Sequence, residues 1–89
     1  MPHPRFSAQE IGRRGKALYE QNIRKHVETE ENIGKIVSID IETGEYEIGD
    51  NVPKSSERLL AKRPDAALSG IRIGYNAVYA LGGTLTRTV

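Results

Sequence analysis

The hydrophobic pattern of this chain switches three times between a helical period and a strand period. Ile11, Gly15, Leu18, Tyr19, Ile23 and Val27 recur at three- and four-residue spacing, the spacing that lines one face of an amphipathic helix and predicts one from Ala8 to about Glu28. Ser7 stands where an N-cap is needed, and Glu10, three residues on, would complete a capping box. Gly12 and Gly15 work against this helix, since each costs up to about 1 kcal/mol relative to Ala in a helix interior. Its first turn and a half is therefore expected to fray without a partner. Beyond a polar connection at 29–34 the period falls to two. Val37, Ile39 and Ile41 alternate with Ser38, Asp40 and Glu42, Thr43-Gly44 supplies a turn, and Tyr46 and Ile48 alternate with Glu45 and Glu47. This is the pattern of a β-hairpin. A two-residue loop would set Ile41 opposite Tyr46 and Ile39 opposite Ile48; a three-residue loop with Gly44 in the left-handed region is the alternative.

The helical period then returns briefly. Pro53 suits a first helical turn and Pro64 disfavours continuation past Arg63, so a short second helix is expected over about 53–63, with Ser56, Leu59, Leu60 and Arg63 on one face. From Ile71 to Leu81, apolar and aromatic residues again alternate, giving one strand, or two broken near Gly74 to Asn76. Residues 1–7, with Pro2 and Pro4, read as a flexible arm, and 82–89, opening on Gly82-Gly83, as a flexible tail. The expectation is a single domain, 1–89, of α+β class. It has a small antiparallel sheet (the hairpin plus a C-terminal strand or strands), an N-terminal helix and a short second helix, the helices on one side of the sheet.

Composition narrows the classes. Ile, Leu, Val and Phe make up 21 of the 89 residues, above the roughly 20% below which chains tend to stay disordered. There is no cysteine, which excludes a disulfide framework and a thiolate metal site and fits a reducing compartment. No apolar run approaches the roughly 18 residues of a membrane span, and the first ten residues lack the apolar centre of a signal peptide, so a cytoplasmic protein is expected.

The formal net charge of +1 conceals a segregation. Residues 1–26 carry six Lys or Arg against two acids, 27–50 one against eight, and 51–89 six against two. Such a layout means attraction between parts of the chain or faces meant for different partners. The acidic centre holds the strongest local motif: Asp40-Ile41-Glu42-Thr43-Gly44 on an apolar strand resembles the metal-binding opening of proofreading-type 3′–5′ exonucleases. There, carboxylates two apart on a strand would share Mg²⁺ through oxygen ligands. Those domains resemble chains roughly twice this length and need further Asp residues and a His or Tyr from later helices. Here Asp50, Glu57 and Asp65 are all that follow the hairpin, with no His downstream. A metal-dependent nuclease-like hydrolase is accordingly the remote reading. The simpler one is that Asp40, Glu42, Glu45 and Glu47 share a strand face that is solvated or that docks onto basic surface, for which Arg13, Arg14, Lys16, Arg24 and Lys25 on the first helix are available, within the chain or between protomers.

Lys54, Arg58 and Lys62 form a second basic element at i, i+4, i+8. Such a stripe can lie against phosphates, though no aromatic interleaves with it for base stacking. His3 and His26 are too far apart in sequence to suggest zinc, Ser55-Ser56 reads as capping, and no glycine-rich phosphate loop is present. No cofactor is expected.

The segments GKIVSIDIETGEYEIGD, SERLLAKRPDA and RIGYNAVYALGGT together resemble a group of small bacterial proteins over about residues 10–85. That resemblance implies no activity, cofactor or catalytic residue. The reading that results is a small non-enzymatic protein-interaction module, antitoxin-like in kind and expected as a homodimer. It would bind another protein through a terminal segment, with Arg13, Arg14, Arg24 and Lys25 and the acids Asp40, Glu42, Glu45 and Glu47 as partner-binding residues. Trimming residues 1–26 is expected to abolish that binding and leave the sheet folded. The alternative is a nucleic-acid-binding module, DNA-binding through Lys54, Arg58 and Lys62; no membrane partner is expected.

Overall fold

A computed structural model describes residues 5–75 and the backbone of 78–80. Strand β1 (Ile36–Asp40) pairs with β2 (Tyr46–Gly49) and β3 (Leu68–Arg72), and β3 pairs with β4 (Val78–Ala80), all antiparallel, in the order β2-β1-β3-β4. The fold is mixed α+β. The alternating segment is two strands, and the first begins at Leu68, ahead of the expected start. A turn carrying Gly74 at φ 85° follows β3, with the Tyr75 N–H donating to the Arg72 carbonyl.

The first helix is α1 (Ala8–Leu18), a π-helical turn (Tyr19–Ile23) and α2 (Arg24–Val27) in unbroken succession. Ser7 caps it by accepting the Glu10 N–H; the Glu10 carboxylate turns to Arg14, so only half of the capping box forms. The π turn has a cause in the sequence. The buried residues are Ile11, Gly15, Tyr19, Ile23 and Val27, every fourth position, and in a helix of 3.6 residues per turn each four-residue step over-rotates by roughly 40°. A wider turn, closed by the Arg24 N–H on the Tyr19 carbonyl, returns Ile23 and Val27 to the face used by Ile11 and Gly15.

That face packs on Val37 and Ile39 of β1 and on Ile71 and Ile73, with Tyr46 and Ile48 at the margin. Gly15 lies so close to Ser69 of β3 that a Cβ there would overlap the serine side chain. The helix expected to fray is therefore seated on the sheet through the very glycine that weakens it locally. It also supplies much of the core. The expectation that 1–26 could be trimmed with the sheet left folded is overturned, because trimming would remove Ile11, Tyr19 and Ile23. Of the arm expected over 1–7, Arg5, Phe6 and Ser7 are described. Phe6 packs on the Ile11, Ile41 and Ala67 cluster, with the guanidinium groups of Arg14 and Arg5 at 5.0 and 5.8 Å from its ring. The tail expected over 82–89 lies outside the described residues.

Helix α3 (Val52–Lys62) covers the opposite face of the sheet, which corrects the one-sided arrangement expected above. Side chains alternate along a strand, so Ser38 and Asp40 of β1 point away from Val37 and Ile39. They meet α3, with the Ser38 and Ser55 hydroxyls 2.7 Å apart in full burial and Leu59 packed on Leu68. Asn51, not Ser55 or Ser56, caps this helix by accepting the Lys54 N–H at 2.9 Å. Its buried face is Ser55 and Leu59; Leu60 is exposed. Close approach again rests on a glycine: a Cβ on Gly49 would stand 2.6 Å from the Ser55 nitrogen. Both faces of β1 are buried in consequence.

Candidate interaction surface

The hairpin closes differently from either expected loop. Ile39 stands opposite Tyr46, Val37 opposite Ile48 and Ser38 opposite Glu47. This is a two-residue shift from the tight register, and because the shift is even it keeps every side chain on its expected face. Ile41, Glu42, Thr43 and Gly44 form the loop, closed by the Gly44 N–H on the Asp40 carbonyl and the Asp40 N–H on the Glu45 carbonyl, both at 2.8 Å, with Gly44 at φ 81°. The Asp40 side chain holds it. Its Oδ1 accepts the N–H groups of Glu42 at 2.9 Å and Thr43 at 3.4 Å, the local turn that Asp forms with its own following backbone.

Asp40 is 1% exposed, and its Oδ2 stands 2.8 Å from Nε of Arg63. The ammonium of Lys62 reaches Glu47 at 2.5 Å; this bond, the Glu47 charge and the more distant Glu45 together raise the lysine above its ordinary value. Glu42 pairs with Arg5 at 2.7 Å, and Arg5 also donates to the Asp65 carbonyl. The expected crowded face of four acids is thus divided. Asp40 is a buried brace, Glu42 and Glu47 are each met by a cation of the same chain, and Glu45 is exposed with no ion pair among the described residues. The cations come from Arg5 and from α3 with its C-cap Arg63, not from the first helix.

The exonuclease likeness has no counterpart in this geometry. β1 ends at Asp40, Glu42 belongs to the loop, and the two carboxylates face different arginines instead of sharing a strand face. Among the described residues no group of three or more His, Asp or Glu gathers where it could hold a metal ion.

The stripe on α3 is partly engaged as well. Arg58 donates to the Ile48 carbonyl at 2.6 Å, Lys62 holds Glu47, and Lys54 is exposed with no ion pair among the described residues. On the first helix the situation differs. Arg14 pairs with Glu10, and Arg24 with Glu20 and Glu28, whereas Arg13, Lys16 and Lys25 are exposed and carry no ion pair among the described residues. Arg13, Ala17, Gln21 and Lys25 recur every four residues along the side away from the sheet, with Lys16 on the flank. This outward line, a continuous exposed surface of the first helix, is the candidate interaction surface. Ala17 and Gln21 carry no charge and do not stand out among the basic residues; their spacing, parallel to that of the buried residues, is the signal that marks them.

A buried phenol in the middle of the first helix ties it to its own C-cap residue, Glu28. Tyr19 is 4% exposed, donates to Glu28 at 2.7 Å, and is joined by Arg24 on the same carboxylate oxygen at 2.8 Å. Burial, then the hydrogen bond and charge of Glu28, push its pKa far above the ordinary 10.0, with Arg24 and the Gly74 N–H opposing. A folded-state value above the unfolded one means stability that is complete below pH 10 and declines as the pH rises beyond it, because only the unfolded chain gives up the proton. Alkaline denaturation curves of wild type should therefore fall more steeply above pH 10 than those of Tyr19→Phe, by about 1.4 kcal/mol per pH unit at most.

Among the described residues no helix is long and apolar enough to cross a membrane. Comparison with family models, with curated proteins and with solved structures gave no match to this chain.

Proposed function

We propose that this protein is a non-enzymatic protein-interaction module, antitoxin-like in kind, that presents the outward face of its first helix to an acidic surface of a partner protein in the cytoplasm. The observation that supports this reading is the division of charge. Of the hairpin acids, Asp40 is buried and Glu42 and Glu47 are paired within the chain, which leaves Glu45 open, while Arg13, Lys16 and Lys25 stand exposed and, among the described residues, without ion pairs on a helix whose other side is fixed to the core. Rigid presentation lowers the ordering cost of binding. The partner therefore meets a pre-formed helix, not a segment that folds on contact. Exposed cations contribute mainly to encounter rate and selectivity, so the affinity of the complex is expected to fall with salt.

The test is a surface variant, because truncation would unfold the chain. Tagged wild type and the triple variant Arg13→Glu, Lys16→Glu, Lys25→Glu are recovered side by side from native lysate with and without nuclease treatment. The expected result is a stoichiometric protein retained by wild type and lost by the variant, both proteins melting within a few degrees of each other. Equal recovery by the two would reject the surface. Recovery of nucleic acid, with all accompanying protein lost on nuclease treatment, would reject the reading in favour of a nucleic-acid-binding module.

A further inference from the structure

Strand β2 is an edge of the sheet, and its pairing says which of its backbone groups lie open. The Asp40 N–H donates to the Glu45 carbonyl, so position 45 faces β1; alternation then turns the N–H and C=O of Tyr46 and of Ile48 outward. Unpaired edges of this kind invite a further strand. Here the edge is overhung by α3, which runs antiparallel to β2: Ser55 lies against Gly49, Arg58 against the Ile48 carbonyl and Lys62 against Glu47. The Lys54, Arg58, Lys62 stripe consequently tracks the open edge. At its Lys62 end the overhang leaves an open groove of about 420 Å³ lined by Thr43, Gly44, Glu45, Tyr46, Leu59 and Lys62.

The spacings match those of an incoming strand. Successive members of the stripe rise by about 6 Å along the helix, and alternate residues of an extended chain are about 6.7 Å apart. We propose that the β2 edge is a docking site for an extended acidic segment of a partner protein, added as a fifth strand beneath α3. An apolar side chain of that segment occupies the groove beside Leu59 and Gly44, and carboxylates two and four residues further on face Arg58 and Lys54. Arg58 is the gate. In the unbound protein its guanidinium occupies the Ile48 carbonyl; when it turns to a carboxylate, that carbonyl and the Tyr46 amide pair become partners for the incoming main chain. Lys62 stays with Glu47, and Glu45 beside it explains why the groove end takes an apolar residue and not an acid. The arrangement explains why an i, i+4, i+8 basic stripe is present on a helix whose outer face shows no aromatic platform. It is a surface separate from the first helix and stands or falls independently of it.

The probe is a blocked seven-residue peptide of alternating threonine and glutamate with valine at its first position, against a control with lysine in place of glutamate. Both are titrated into the isotope-labelled intact protein. The expected result is that the glutamate peptide shifts the backbone amides of Tyr46 and Ile48 and the Arg58 side-chain signal, and that Arg58→Ala weakens it by about tenfold, the worth of one charge-assisted hydrogen bond. Arg58→Gln, which keeps a donor for Ile48 and so preserves the edge, should lose the preference for glutamate over lysine. Shifts confined to the first helix, equal binding of the two peptides, or stronger shifts of the same amides by a short DNA strand would each overturn the proposal.

Discussion

Gly15→Ala is expected to lower the melting temperature by about 10–20 °C, the equivalent of about 2–3 kcal/mol in a chain of this size. In an exposed helix the same change would stabilise by about 1 kcal/mol, since Ala is the better helix former. The sign reverses because the added methyl would occupy the space of the Ser69 side chain, and the helix and β3 would have to separate while Ile11, Tyr19 and Ile23 stayed in the core. The companion experiment fixes the cause. Ser69→Gly should be costly alone yet should recover much of the loss when combined with Gly15→Ala, a coupling of the kind seen only between residues in contact. Thermal melts of the four proteins decide it, and additive losses would mean that the seam between helix and sheet has been misidentified.

The second large effect is at Asp40. Replacing it with Ala leaves the Glu42 and Thr43 amides without their acceptor and removes the buried carboxylate from beside the half-exposed Arg63 guanidinium, and a loss of about 1–3 kcal/mol is expected. Asp40→Asn should fall between, because the amide oxygen can still accept from Glu42 while its nitrogen meets Arg63 unfavourably. Both losses should be the same with and without Mg²⁺. A Mg²⁺-dependent gain in the stability of wild type that disappears in Asp40→Asn would restore the metal-site reading of this strand.

Gly15 and Asp40 also show where sequence reasoning stops. The helices, the hairpin and the break between β3 and β4 follow from local period and turn residues, and the even register shift left the faces as expected. The shift itself depended on Asp40 closing the loop with its own side chain, a role that Asp followed by Thr-Gly signals but that competed with a familiar metal motif. Gly15 was counted as a local cost because propensity knows nothing of what lies across from a residue. The second layer was hidden for the same reason: Ser38, Gly49 and Ser55 look like polar or weak positions, and their small size becomes informative only once β1 is known to be covered on both sides.

At the candidate surface, the cations themselves were legible and their availability was not. Arg58, Lys62 and Arg63 are close in sequence to one another but meet groups 10, 15 and 23 residues away, and Arg5 meets Glu42 across 37. These pairings remove Asp40, Glu42 and Glu47 from the set of open binding groups and engage much of the α3 stripe, while Arg13, Lys16, Lys25 and Lys54 keep no ion pair among the described residues. No count of charge along the chain could have made that division.

The most direct measurement is lysine footprinting of the complex recovered from native lysate. Acetylation of Lys16 and Lys25 is compared between the isolated protein and the complex, read by mass spectrometry. Both lysines are expected to become protected when the partner is bound. Unchanged reactivity at both lysines, in a complex whose partner is present in stoichiometric amount, would contradict it.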